Sequence, residues 1–480
     1  VFKLVVPLIT IPFVAKALGP EQLGTYLYVY SIVAIFSLVS NLGIMNYGNK
    51  IIAAHRDNPE KLSKTFISLY LVSLCMTIPA LILYFSYCLF FVRDNQSIFL
   101  IQSLFLLSTL FDITWFYMGI EEFAIPIKRD ILVKVTTLLA VLLLVRNKNG
   151  LVTYTVIMSV SALVSMLCVW IYIPRYVTLL KIRFSDCLMH LKPLLILSIP
   201  VAAVSVYTSL SVVLLGMLAN TADVGQFVTA TRIIAIPLGF ITAMGVVMLP
   251  RMSNIASSNN VSMINRYIKD SMAFVMFMTI PVTLGFISTS QTFIPLFLGN
   301  EFFQAGVLLA IIAPVIIFAA WANVLRTQYL IPQGKNRPYI ISVIIGAFIS
   351  LGLNLLLIPK LKAYGAAVSM LLAEFSVMLY QTWALRNNLN MKLYFKNAFS
   401  ILSKSLIMFI VVLIIGLIIK PVFIKLGLQV IIGGALYAFL NIDFLDSTIL
   451  NGKLKHPAWS RLITLKSRIF IDNNEISEYL

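Results

Sequence analysis

The sequence predicts an all-α polytopic membrane protein, and three observations predict it. Of 480 residues, 60% are hydrophobic and only 11% are charged, against about 25% charged in an ordinary soluble domain. The apolar residues fall into runs long enough to cross a bilayer, which takes about 20 residues of helix. The few Lys and Arg residues gather in alternate connections between those runs. Soluble domains of ordinary size keep a wet exterior too large for this composition, so soluble, disordered and fibrous classes are excluded.

The runs define about fourteen spans, at 2–18, 25–47, 65–92, 98–118, 127–145, 152–174, 193–218, 226–250, 270–296, 305–331, 339–358, 366–385, 398–419 and 427–446. The first carries Pro7 and Pro12 with no small-residue cleavage site after it, and reads as a retained, kinked helix rather than a signal peptide. The last is interrupted by Asn441, Asp443 and Asp446. The connections at 48–64, 119–130, 175–192, 251–269, 332–338 and 386–397, with the tail from 447, hold 23 of the 36 Lys+Arg residues. The other connections hold 8, and Lys3, Lys134, Arg232, Arg326 and Lys404 lie within spans. The positive-inside rule then places both termini in the cytoplasm. The net charge of +18 is mostly topology, with no basic patch of the kind that binds nucleic acid. Connections this short leave no room for a soluble catalytic domain, so the protein acts within the bilayer.

The spans group into two six-helix bundles, 1–185 and 186–390, followed by two additional helices, 391–446, and a basic cytoplasmic tail, 447–480. Each half has a proline-containing helix ending in Leu-Gly, then Gly and an aromatic residue. These are Pro12, Leu18-Gly19 and Gly24-Thr25-Tyr26 in the first half, and Pro200, Leu215-Gly216 and Gly225-Gln226-Phe227 in the second. Six is an even number, so the halves enter the membrane the same way, as parallel repeats with a cavity between them. Pro200, Pro237, Pro281 and Pro314 lie mid-span, where they free carbonyls and allow bending.

Ionisable residues inside a span are costly and mark cavities or partners. Glu374 sits mid-span, Asp112 in the inner half of span four, and Arg232 seven residues after Gly225, about 10 Å of helix rise and too deep to snorkel easily. Helix–helix pairing is the structural alternative for all three. Lys134, Arg326 and Lys404 lie near cytoplasmic ends, where long side chains reach the interface. Lys16 and Lys50 flank the first two spans at opposite faces, as gate residues or helix anchors. Trp115-Phe116-Tyr117 fits an interfacial belt or a sugar platform. Tyr26, Tyr28 and Tyr30 alternate, so they do not share one helical face.

Metal and disulfide chemistry find no support. Cys75, Cys88, Cys168 and Cys187 are scattered without a CxxC pair. His55, His190 and His456 fall far apart in polar connections and read as solvated.

Several segments together resemble bacterial oligosaccharide flippases of the Wzx, or polysaccharide transporter, type. They include PLITIPFVAKALGPEQLGTYLYVYSIV, NLGIMNYGNKIIAAHRDNPEKLSKTF, FDITWFYMGIEEF, LKPLLILSIPVAAVSVYTSLSVVLLGML, RIIAIPLGFITAMGVVMLPRMSNI and WANVLRTQYLIPQGKNRPYIISVIIGA. The resemblance covers most of residues 1–390. It implies the MATE-like V-shaped fold shared with multidrug extruders and lipid II flippases. It also implies transfer of undecaprenyl-diphosphate-linked oligosaccharides, for capsule, O-antigen or teichoic acid, to the outer leaflet of the bacterial cell membrane. Lys16 and Arg232 match basic family positions, and Asn49-Lys50 falls where Thr-Arg is common. Ser211-Val212 stands where relatives carry Asp-Lys, and Val228 and Thr231 stand where they carry glutamates. Those departures put carboxylate-dependent ion coupling in doubt.

The expected mechanism is alternating access, with the substrate diphosphate held by Arg232, then Lys134 and Arg326, with Lys16 and Lys50 as further cavity cations. Asp112 or Glu374 would couple the cycle to protons or sodium, and no other cofactor is implied. Polymerase and glycosyltransferases of the same pathway are the implied partners. The alternatives are a MATE-like multidrug or cation antiporter, a membrane-embedded polymerase, and a non-transporting scaffold of an assembly complex.

Overall fold

The computed structural model describes residues 2–41, 43–258 and 261–442. Its elements are helices, with no strand among the described residues. In order they are α1 (Phe2–Asn41), α2 (Ile44–His55), α3 (Pro59–Phe90), α4 (Gln96–Leu110), α5 (Thr114–Gly119), α6 (Ala124–Leu144), α7 (Leu151–Cys168) and α8 (Phe184–Leu218). There follow α9 (Thr221–Ser257), α10 (Val261–Leu298), α11 (Phe303–Ile312), α12 (Val315–Leu325), α13 (Asn336–Leu361), α14 (Ala363–Ala384), α15 (Met391–Ile418) and α16 (Val422–Leu440). Asp443, Asp446, His456 and the basic tail lie outside the described residues.

Ten helices among the described residues are long and apolar enough to cross a membrane, or eleven when the bent pair around Pro314 counts as one span. The difference from fourteen has three physical sources. First, α1 is one continuous element holding spans one and two, broken at Gly19 by φ 73° and ψ 174°, a left-handed conformation that a Cβ resists. Its two segments, 2–18 and 20–41, run about 26 and 33 Å at 1.5 Å per residue. Second, α6 carries Lys128, Arg129, Asp130 and Lys134 within 21 residues, too many charges to register as apolar. Third, α8 (Phe184–Leu218), which holds span seven, is a single 35-residue helix that lies partly outside the residues whose side chains are described.

The two halves bend at corresponding places. Span four breaks between α4 and α5 at Phe111–Ile113, and span ten breaks by 45° between α11 and α12 at Ala313–Pro314. A positive-φ residue precedes each broken span, Asn95 at 54° and Gly299 at 100°, and another follows each, Glu121 at 64° and Gly334 at 65°. At the second break the Ala313 carbonyl accepts both the Ile316 N–H at 3.0 Å and the Thr283 hydroxyl at 3.4 Å, tying α10 to the break.

By packing, the chain divides into two compact units. The first comprises the chain through Thr229, Phe297–Phe302 and Val343–Ser369. The second comprises Ala230–Leu296, Phe303–Ser342 and the chain from Met370. This division by packing runs through α9, α13 and α14 rather than following chain order.

In the first unit, Trp115, Phe116 and Tyr117 are almost wholly buried. They pack with Phe66 and Tyr176 in one aromatic core, and the Tyr117 hydroxyl donates to the Val169 carbonyl at 2.6 Å. This corrects the reading of the triplet as an interfacial belt or sugar platform, because a buried tyrosine is stable only with its hydroxyl bonded. Tyr26, Tyr28 and Tyr30 do not share one face: Tyr26 and Tyr30, four apart, stack at 6.2 Å, and Tyr28 lies against Gly216.

In the second unit, the core gathers α9, α10, α12, α14, α15 and α16. The two C-terminal helices are pinned by polar bonds. Gln429 Nε2 donates to the Val412 carbonyl at 3.0 Å, and the Tyr437 hydroxyl donates to the Phe277 carbonyl at 2.7 Å. Such bonds matter in hydrocarbon, where an unpaired carbonyl finds no water.

Candidate functional site

Within the first unit, the break in α1, the start of α9 and the turn after α10 meet. Pro20–Gly24 opens the second segment of α1, and Thr221–Gly225 opens α9. Their contact is reciprocal. A Cβ on Gly24 would sit 2.7 Å from the Thr221 carbonyl carbon, and one on Gly225 would sit 2.8 Å from the Pro20 carbonyl carbon. Each glycine faces the residue four positions before the other, so the backbones cross with no side chain between them. Gln226 Nε2 donates to the Glu301 carbonyl at 2.7 Å, tying the start of α9 to the turn after α10. The Glu301 carboxylate lies against Gly19, and the Lys16 side chain runs beside Gly299. Lys16 is exposed at this end.

The other predicted cations lie on other elements. Lys50 is exposed near the end of α2, and Lys134 is half-buried on α6. Arg232 is half-buried on α9, with no hydrogen bond or ion pair among the described residues. Arg326 opens a π-helical turn, Arg326–Leu330, and its guanidinium lies over the Tyr339 ring at 5.5 Å. Lys335 repeats that arrangement, with Nζ donating to the Tyr329 hydroxyl at 3.3 Å. Arg251 likewise sits over Tyr267, 4.5 Å from the ring centroid. In the first unit, by contrast, Arg56 pairs with Glu121 at 2.6 Å, Lys64 with Asp186 at 3.1 Å and Arg129 with Asp130 at 2.7 Å. Cations docked on rings keep their charge available to an anion, whereas those on carboxylates are compensated.

The predicted carboxylates occupy different settings. Asp112 lies in the break of span four, where Oδ1 accepts the Thr114 N–H two residues on at 2.9 Å, as an aspartate does in an Asx-turn. Its carbonyl accepts the Trp115 indole N–H at 3.1 Å. Glu374 is half-buried on α14 in the second unit.

Sequence reasoning missed two polar sites. Asn354 Nδ2 donates to Ser211 Oγ at 2.8 Å and to Ser350 Oγ at 3.2 Å, joining α8 to α13. All three are buried, and Asn354 Oδ1 is without a partner among the described residues. The signal was an asparagine inside the apolar run LGLNLLLIP. The second concerns His190, whose reading as a solvated histidine is corrected: it is 4% exposed, with Nδ1 2.9 Å from the Tyr47 hydroxyl. His55 is half-buried, with Nδ1 2.8 Å from Thr65 Oγ1.

Burial holds the His190 pKa below its ordinary value, and nearby His55 adds to this while Asp186 opposes it. The folded protein therefore keeps His190 neutral where the unfolded chain protonates. Thermal stability is expected to be flat above about pH 6.5 and to fall as pH drops below it, by up to about 1.4 kcal/mol per unit, until the folded pKa is reached. His190→Gln keeps a hydrogen-bonding group for Tyr47 but does not titrate. Melting curves from about pH 8 to 5 should lose this component of the slope in the variant.

Comparison with known proteins places this architecture. Residues 1–256, more than half of the chain, match the family described as "Polysaccharide biosynthesis protein". The chain belongs to that family. Among its relatives is a protein of Shigella dysenteriae named "Putative O-antigen transporter", 23% identical over 394 residues, covering 79% of this chain and 96% of that protein. Lipid II flippase MurJ of Bacillus subtilis is 28% identical over 155 residues, 31% of this chain and 28% of MurJ. Among solved structures, lipid II flippase MurJ in an inward closed conformation superimposes with a TM-score of 0.78 at 15% identity, covering 93% of this chain and 98% of that one. An inward-facing MATE-family multidrug transporter gives 0.65 at 12% identity, over 80% and 94%. This member of the family is therefore a multi-pass membrane protein with the helical fold of MurJ and MATE transporters.

Proposed function

We propose that the protein is a flippase that moves an undecaprenyl-diphosphate-linked oligosaccharide across the bacterial cell membrane by alternating access. Capsule, O-antigen and teichoic-acid repeat units are the substrates in question, and the relatives named above support the class. The observation that carries the reading is Arg232, a half-buried arginine with no described carboxylate partner. It stands about 10 Å of helix rise inward of the Gly24–Gly225 crossing. A diphosphate and sugar hydroxyls carried bare through hydrocarbon would lose their hydrogen bonds at several kcal/mol each. A guanidinium fork in a wet cavity replaces them while the polyprenyl tail stays in lipid.

On this reading the two halves are parallel repeats around a cavity, and the corresponding breaks in spans four and ten support that relation. With both termini cytoplasmic, the glycine crossing is the closed outer end, and substrate enters from the cytoplasmic side. Lys134 and Arg326 contribute further positive charge, with Lys16 and Lys50 at the two rims. Asp112 or Glu374 would couple the cycle to protons or sodium.

The test is reconstitution into liposomes with a fluorescent lipid-linked oligosaccharide and a membrane-impermeant quencher. Protein-containing vesicles should expose probe from both leaflets, and empty vesicles from one. No transfer by folded protein, or expulsion of a cationic dye instead, would overturn the assignment.

A further inference from the structure

Beside the first two turns of α6 and the end of α7 lies an open cavity of about 350 Å³. Ile125, Leu132, Val169, Ile171 and Tyr172 form its walls, and Lys128 stands among them. Ile127, Ile131 and Leu132 are exposed, and Ile171 is 75% exposed, so in a membrane protein this surface faces lipid.

The cations around the cavity are not equivalent. Arg129 turns inward, with its side chain 7% exposed and paired to Asp130, and Nη1 reaches toward Thr114 Oγ1 at 3.5 Å. Its charge is compensated. Lys128 is exposed, with no ion pair among the described residues. Arg175 is also exposed, with its guanidinium over the Tyr172 ring at 5.5 Å. The groove thus has apolar walls, with the exposed Lys128 in its lining and Arg175 docked on the ring of its wall residue Tyr172.

A free phosphate would leave the walls uncovered, and a sugar would find few hydrogen-bonding partners on them. A lipid with a phosphate headgroup meets both demands. None of the residues assigned above to substrate lines the groove, which points to a resident lipid rather than the cargo. We propose that this groove binds an anionic diacyl phospholipid, with one chain along Ile125, Leu132 and Ile171 and the phosphate at Lys128 and Arg175. The positive-inside orientation puts the site in the cytoplasmic leaflet, whose anionic lipids attract exposed basic side chains.

The experiment is native mass spectrometry of the full chain, purified in detergent and titrated with phosphatidylglycerol, phosphatidylcholine or undecaprenyl phosphate. Phosphatidylglycerol should be retained in preference to phosphatidylcholine. Lys128→Gln and Arg175→Gln should each weaken its retention about fivefold, the worth of one basic residue at an anionic surface. Leu132→Trp, which fills the groove with both charges intact, should also displace it. Equal retention of the two phospholipids by the unaltered chain would overturn the proposal without recourse to any variant. So would unchanged retention in all three variants, or displacement of phosphatidylglycerol by undecaprenyl phosphate at equal concentration, which would assign the groove to the cargo.

Discussion

Alanine at Gly24 or at Gly225 is expected to abolish surface-polymer assembly while leaving the protein inserted at normal abundance. Each added methyl would collide with the backbone of the opposing helix, Thr221 in one case and Pro20 in the other. No rotamer change relieves an overlap with backbone, so the crossing must open or shift. Overpacking of this kind costs about 1–3 kcal/mol, and on the proposed mechanism, in which this crossing closes the outer end, a penalty near 3 kcal/mol confined to that state lowers its population roughly 100-fold. Helix propensity works in the opposite direction, since Ala is favoured over Gly in a helix by about 1 kcal/mol. Failure therefore cannot be assigned to a weaker helix. Gly285, whose Cβ position is open, supplies the control: Gly285→Ala should leave assembly unchanged. In a background without other reactive thiols, Thr221→Cys reports the crossing directly. An impermeant maleimide added outside should label it slowly in the parent and faster with Gly24→Ala. Normal polymer and unchanged labelling in both alanine variants would show that the crossing is not a gate.

The repeat that led to this crossing was legible as a pair of glycine-aromatic motifs, because a close backbone approach leaves glycine where any other residue would obstruct it. The fold class was legible for a related reason: the bilayer imposes a length and an apolarity that few other environments demand. Individual sites were less so. Trp115, Phe116 and Tyr117 have the composition of an interfacial belt, and only the packing of α5 against Phe66 and Tyr176 removes them from it. His190 sits in a polar stretch of sequence, yet α8 turns it toward Tyr47. Ser211 read as a lost carboxylate, but its bond to Asn354 requires α8 and α13 to lie side by side, a long-range contact that sequence spacing does not encode. The depth of Asp112 in the membrane was legible, while its bond to the Thr114 N–H was not. Charge is thus readable by depth, and its partners only by packing.

Arg232→Ala is expected to remove most polymer assembly, and the reason separates a substrate ligand from a structural ion pair. Removing one member of a buried pair strands the other charge and costs about 3–5 kcal/mol of stability. Arg232 has no such pair among the described residues, and Val228 and Thr231 stand one turn and one residue before it, where acidic side chains would have neutralised it. The alanine variant should accordingly accumulate at parental abundance with a parental melting temperature. On the proposed function, what it loses is the charge-assisted fork to the diphosphate, worth about 1.5–3 kcal/mol, or roughly 10- to 150-fold in substrate retention. Arg232→Lys keeps the charge without the planar fork and should fall between the two. Arg232→Glu should repel the substrate and be the most severe. Polymer on the cell surface, protein abundance, and binding of a lipid-diphosphate sugar to purified protein give the three readouts. Parental polymer in Arg232→Ala at parental abundance would remove Arg232 from substrate binding. Lost abundance with lost polymer would return it to a structural role, paired with a carboxylate after all.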